Sequence, residues 1–313
     1  MRRWMKIGAA AVGGVAAGGA VAAAVGGARW SRETARAVGR LGEPGAAPDD
    51  GAPRTYSRDQ LSGLPESVVR YFDYSLTPGQ PLIRRARVEH AGDFALRPGA
   101  WAPFTSVQHV AVRPPGFVWD AAIRMAPGVP GLAVRVRDGY AGGVGSIHAA
   151  AAAVVPVADQ RGTPELAAGS LMRYLAEAPW FPTALLPSEG VAWTAVDDGT
   201  ARATLADRGT TVSVDFHFGA RGEIVGLSAV RRRDVNGRGV LTPWAAESRR
   251  YERVQGMMVP TEGEVAWLLP EGRFPYWRAR MVRAAYEFAP QPEPELPPGS
   301  SAPVSRGAPR RAR

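Results

Sequence analysis

Between residues 61 and 289 the chain repeatedly alternates apolar and polar positions. In "TTVSVDFHF", residues 210–218, Val212, Val214, Phe216 and Phe218 take one side, and Thr211, Ser213, Asp215 and His217 the other. That is the two-residue period of a strand buried on one face. "FVWDAAIRM", residues 117–125, repeats it with Phe117, Trp119, Ala121, Ile123 and Met125 on one side. "LAVRVRDGY", residues 132–140, sets Leu132, Val134 and Val136 against Arg135 and Arg137. Between such runs stand Pro114-Pro115-Gly116, Asp198-Gly199, Arg221-Gly222, Asn236-Gly237 and Gln255-Gly256. Asp-Gly and Asn-Gly supply the positive φ that tight hairpins need, so neighbouring strands are expected to pair antiparallel. The pattern gives about eleven strands, four or five before residue 160 and six or seven after residue 190. A sheet that wide curls rather than staying flat. The expected fold class is mainly β: a curled antiparallel sheet, or half-barrel, with a short N-terminal helix and a central helical lid.

Two stretches switch to helical spacing. In "LPESVVRYFDYSL", residues 64–76, Val68, Val69, Phe72 and Leu76 share a face, and Pro65 suits a first turn. The second covers residues 163–186. Thr163 can cap it, Pro164 fits its first position, and Glu165 places an acid in its first turn. Leu171, Tyr174, Leu175 and Ala178 line one face, Arg173 and Glu177 stand four apart, and Pro179 ends the helix. "WFPTALLP" then sets Trp180 and Phe181 between prolines. A curled sheet leaves one face to be covered, and these helices can cover it. Trp180 and Phe181 are therefore either part of a lid over an apolar pocket or plain core.

The ends differ in kind. Arg2, Arg3 and Lys6 precede a run of 22 uncharged residues, 7–28, containing ten Ala and seven Gly. Its length allows a membrane-crossing helix. A signal anchor, a cleaved signal peptide, a twin-arginine signal and a disordered leader all remain open. The favoured expectation is a membrane contact through residues 7–28 with the domain on the extracytoplasmic side. Residues 1–30 are thus an anchor or signal peptide, 31–60 a linker with a helical option over 31–40, 61–289 the β domain, and 290–313 a disordered Pro/Arg-rich tail.

Charge narrows the function little. The chain carries +9, but residues 61–289 hold 25 basic against 22 acidic residues. The excess sits at the ends rather than on a folded face, so no nucleic-acid partner is expected. There is no cysteine, which removes disulfides, thiolate metal sites and cysteine nucleophiles. His90, His109, His148 and His217 are scattered singly, without metal-ligand spacing. "GGVGSIH" lies between two strands and reads as a turn, not as a nucleotide loop. No metal, cofactor or catalytic residue is expected.

Some polar residues do stand where apolar ones are due. His90 shares a face with Ala86, Val88 and Phe94, and Asp138 shares one with Val134, Val136 and Tyr140. Such groups are either satisfied within a core or line a pocket. In the pocket case His90, His109, Asp138 and Glu177 come first for testing. The full expected ligand-binding set is Trp119, Tyr174, Glu177, Trp180, Phe181, His90, Asp138 and Trp244.

"LPESVVRYF", "GSLMRYLAEAPWFPTALLP" and "PWAAESRRYERVQGMMVPTEGEVAWLL" resemble an uncharacterised bacterial family, a domain of unknown function, over roughly residues 60–288. That resemblance implies no activity and no catalytic residue. "VRPPGFVWDAA" is similar to the hairpin of LolA-type periplasmic lipoprotein carriers. The likeness implies a half-barrel with helices over its concave side and a cavity for acyl chains. Three readings follow: a non-catalytic domain that binds a lipid or acylated molecule, an interaction domain with a filled interior, and an enzyme without a linear motif.

Overall fold

The computed structural model of the protein describes residues 2–42, 54–125 and 133–290. Helix α1 (Arg2–Gly39) leads, followed by α2 (Glu66–Ser75). Six strands come next: β1 (Ile83–Arg97), β2 (Ala100–Ala111), β3 (Gly116–Arg124), β4 (Ala133–Ala141), β5 (Val144–Ala151) and β6 (Val155–Arg161). Helix α3 (Pro164–Glu177) and three short helical turns divide them from β7 (Val191–Asp197), β8 (Thr200–Asp207), β9 (Thr210–Phe218) and β10 (Ile224–Val235). The chain closes with β11 (Arg238–Val254), β12 (Met257–Leu269) and β13 (Gly272–Phe288).

All thirteen strands form one antiparallel sheet in the order β6-β5-β4-β3-β2-β1-β13-β12-β11-β10-β9-β8-β7. Several hairpins sit on expected turns, among them Pro114-Pro115-Gly116, Asp198-Gly199, Asn236-Gly237 and Gln255-Gly256. At Asn236-Gly237 and Gln255-Gly256 both residues have positive φ, as a tight two-residue turn demands. The count exceeds the expected eleven because edge strands such as β6 bury neither face, so "VPVADQR" lacks the alternation that marks a half-buried strand.

The topology forces the sheet to curl. The first half of the chain builds outward from β1 to the edge at β6, and the second half builds back from the edge at β7 to β13, which pairs with β1. The segment joining β6 to β7 must therefore cross from one edge to the other. Laid flat, β5 and β9 would stand roughly 40 Å apart at the usual strand spacing. Helix α3 is only about 21 Å long at 1.5 Å per residue, yet it touches β3, β4 and β5 on one side and β9 and β10 on the other. The sheet wraps around the helix and stays open, since β6 and β7 do not pair.

Expected local signals hold in the lid. The Thr163 hydroxyl accepts a hydrogen bond from the Leu166 amide at 3.2 Å, and Pro164 takes the first turn. Leu171, Leu175, Phe181, Leu185 and Leu186 are completely buried. Burial of each such side chain contributes about 1.5–3 kcal/mol. The Ile83 amide donates to Thr183 Oγ1 at 3.0 Å, and Tyr286 donates to the Trp180 carbonyl at 2.6 Å. These bonds fasten the lid's tail to β1 and β13, the paired strands at the middle of the sheet.

The N-terminal segment corrects one expectation. Among the described residues, no helix is long and apolar enough to cross a membrane, so the span expected over residues 7–28 is not supported. Alanine and glycine carry too little hydrocarbon; favourable insertion comes from Leu, Ile, Phe and Val. The C-terminal part of α1, expected as tether, lies against the outer face of β3 and β4. Trp30 is buried there and donates to both Asp120 carboxylate oxygens at 3.1 Å. Arg137 stacks over its ring at 4.6 Å, and His148 lies parallel to it at 5.3 Å. Gly26 permits close passage, because a Cβ at that position would come within 2.6 Å of the Ala153 carbonyl oxygen. Most of the expected linker patch (43–53) and nearly all of the expected tail (291–313) lie outside the described residues.

Candidate functional site

Curling leaves space between the lid and the concave face, a cavity of about 480 Å³. Strands β3 and β4 supply Trp119, Ile123 and Val136 to one wall. Strands β11 and β13 supply Trp244 and Trp277 to the other, and the lid supplies Pro179 and Trp180. The rings are held by one another. Trp277 lies 6.0 Å from both Phe104 and Trp180, and the Trp244 indole donates to the Tyr276 hydroxyl at 3.0 Å.

A polar cluster on α3 and β4 interrupts this apolar lining, and Arg231, Glu247, Glu262 and Glu264 line the cavity as well. Arg173 reaches from α3 to Asp138 on β4 at 2.5 Å, while its Nε donates to Glu177 at 2.8 Å. The Gln108 amide of β2 donates to the second oxygen of Glu177 at 2.6 Å. Trp119 and Phe117 lie against the guanidinium, at 4.8 and 5.1 Å. Burial opposes the arginine's charge, but Glu177 and Asp138 outweigh it and raise its pKa above the ordinary value. Asp138, Arg173 and Glu177 all line the cavity. Asp138 Oδ1 and Gln108 Oε1 are buried without a hydrogen-bond partner.

His90 lies behind this lining. It is 2 % exposed, beneath Trp180, and neither ring nitrogen has a partner. Burial, with the Arg173 charge adding to it, pushes its pKa down to about 3, so the ring is neutral at physiological pH. Its cross-strand neighbour Ser106 is likewise buried and unpartnered. At the far end of the lid, Glu189 is buried between Arg54 and Arg113, with Arg113 at 3.0 Å. Burial raises its pKa, and the two arginines oppose that rise.

Trp119, Asp138, Glu177, Trp180 and Trp244 of the expected set line the cavity together. Tyr174 and Phe181 do not. They pack on each other at 5.5 Å within the core. His90 sits one layer below the lining. His109 lies on the other face of β2 from Gln108, away from the site. Sequence reading missed Gln108 and Arg173 as a buried group. A signal existed for Gln108: Ala102, Phe104, Ser106, Gln108 and Val110 share one strand face. For Arg173 the pairing with Glu177 was legible, but an exposed helix pair has the same spacing.

The fold and site define a class, an open antiparallel half-barrel whose concave face is roofed by a helical lid over an apolar cavity. Residues 62–286 match the family of unknown function DUF6920, and the chain belongs to that family. Among curated proteins none matches. Among solved structures, the chain is similar to a LolA superfamily protein from Nitrosomonas europaea. The two share 11% identity with a TM-score of 0.37, over 72% of this chain and 93% of the other.

Proposed function

We propose that the domain binds an apolar ligand, a lipid or acylated molecule, beneath the lid and without catalysing a reaction. The supporting observation is the cavity itself. Its volume of about 480 Å³ falls within the roughly 300–1,000 Å³ common to ligand sites. Four tryptophans face it, and Asp138, Arg173 and Glu177 gather in one polar cluster on its wall. That combination is how apolar molecules are held and oriented. A fully packed interior, the rival reading, would leave no such space.

Titration of the full chain with dodecanol tests the proposal through tryptophan emission. The expected result is a saturable shift at micromolar concentration, lost when Trp180 is replaced by alanine. A shift without saturation would contradict it.

A further inference from the structure

We propose that the ligand carries a protonated amine on its apolar chain, and that Asp138 and Glu177 receive it. This inference rests on the cavity-binding reading and adds the headgroup to it. The inner wall holds two carboxylates and one guanidinium, so it has one negative charge in excess. Two nitrogens of Arg173 are already committed to those carboxylates, and aromatic rings pack against its guanidinium. His90 is neutral and cancels nothing.

Unmet hydrogen-bonding capacity points the same way. Asp138 Oδ1 is a buried acceptor without a donor, and so is Gln108 Oε1 beside Glu177. An ionised carboxylate can only accept, so a ligand group that meets Asp138 must donate. Three glutamates, Glu247, Glu262 and Glu264, form part of the lining as well. Their partners Arg249, Arg250 and Arg273 do not line the cavity. Arg231, the other lining cation, donates to the Gly169 carbonyl at 2.9 Å and stacks over Trp244. Glu247, Glu262 and Glu264 are thus ion-paired from outside the lining, and the excess negative charge is that of the Asp138–Arg173–Glu177 cluster. A carboxylate or phosphate headgroup would meet like charge there. An ammonium group would gain charge-assisted hydrogen bonds and the faces of nearby tryptophans.

The test compares dodecylamine, dodecanol and dodecanoate binding to the full chain at pH 7, below their micellar concentrations. One charge-assisted hydrogen bond corresponds to about tenfold in affinity or more, so dodecylamine is expected to bind at least about tenfold more tightly than dodecanoate. Asp138→Asn should remove that preference. Glu177→Gln gives the same reading if the first variant does not fold, and the wild-type comparison needs neither. Dodecanoate binding as tightly as dodecylamine would overturn the amine assignment while dodecanol still reports a working cavity. No binding by any of the three would overturn the cavity reading as well. A lipid amino headgroup and a free alkylamine share this chemistry. Displacement of dodecylamine by phosphatidylethanolamine vesicles, and not by phosphatidylglycerol vesicles, assigns a lipid; no displacement assigns the free amine.

Discussion

His90 on β1 and Trp180 at the end of the lid lie ring against ring, their centroids 4.3 Å apart and their planes tilted by 47°. Trp277 meets the same imidazole edge-on at 5.8 Å. With neither nitrogen hydrogen-bonded, His90 serves as a flat surface on which the cavity-facing tryptophans rest. The histidine that a catalytic search would pick first thus shapes the wall from behind.

This burial makes stability depend on pH. The folded pKa of His90 is about 3, below its ordinary value of 6.5. Between those values the unfolded chain binds the extra proton, so the contribution is complete above about pH 6.5 and falls away as pH drops toward 3. Urea unfolding of the wild type and His90→Phe at pH 7.5 and 4.5 should show the variant gaining about 2–3 kcal/mol relative to the wild type at the lower pH. An unchanged difference between the two proteins would contradict a neutral buried His90.

Trp180 and Phe181 should separate binding from stability. Phe181 is fully buried, whereas Trp180 is partly exposed and lines the cavity. Phe181→Ala is expected to lower unfolding stability by about 3–5 kcal/mol. Trp180→Ala should lower it less and weaken dodecanol binding more. Denaturant titration and binding isotherms on both variants decide it; equal effects would return Trp180 to plain core.

Arg173 holds two carboxylates in a buried setting. Removing it leaves Asp138 and Glu177 charged and unpaired, so Arg173→Met should destabilise the fold by about 3–5 kcal/mol. Adding Asp138→Asn and Glu177→Gln removes the stranded charges and should restore a large part of that loss. Chemical denaturation of the single and triple variants measures both effects. A mild single variant would mean that the cluster is solvated.

Trp30 should anchor α1 to the sheet. Trp30→Ala removes its hydrogen bonds to Asp120 and its stacking with Arg137 and His148. In hydrogen exchange, amides over residues 32–38 are expected to lose about tenfold in protection, equivalent to about 1.4 kcal/mol, while those of β3 keep theirs. Unchanged exchange across the helix would show that Trp30 does not hold it.

Much of the fold was legible because alternation and turn chemistry agree. Val212, Val214 and Phe216 are buried as their spacing requires, and Pro114-Pro115-Gly116 and Asn236-Gly237 make the turns expected of them. The lid's cap and its proline stop were readable as well. Burial on a helix was less so. Arg173 and Glu177 have the spacing of a solvated pair, and only the wrapping of β3 and β4 against α3 encloses them. Outer-face residues misled most. Arg135 and Arg137 read as opposite the apolar face, yet with Asp120 they receive Trp30 from a segment distant in sequence. No local period carries that contact.

Native mass spectrometry of the full chain purified from bacteria, with an organic extract of the same sample, bears most directly on cavity binding. A bound lipid or amphiphile of defined mass, released on extraction and absent from Trp180→Ala, is the expected result. A clean ligand-free mass, with no uptake of dodecanol or dodecylamine afterwards, would contradict it.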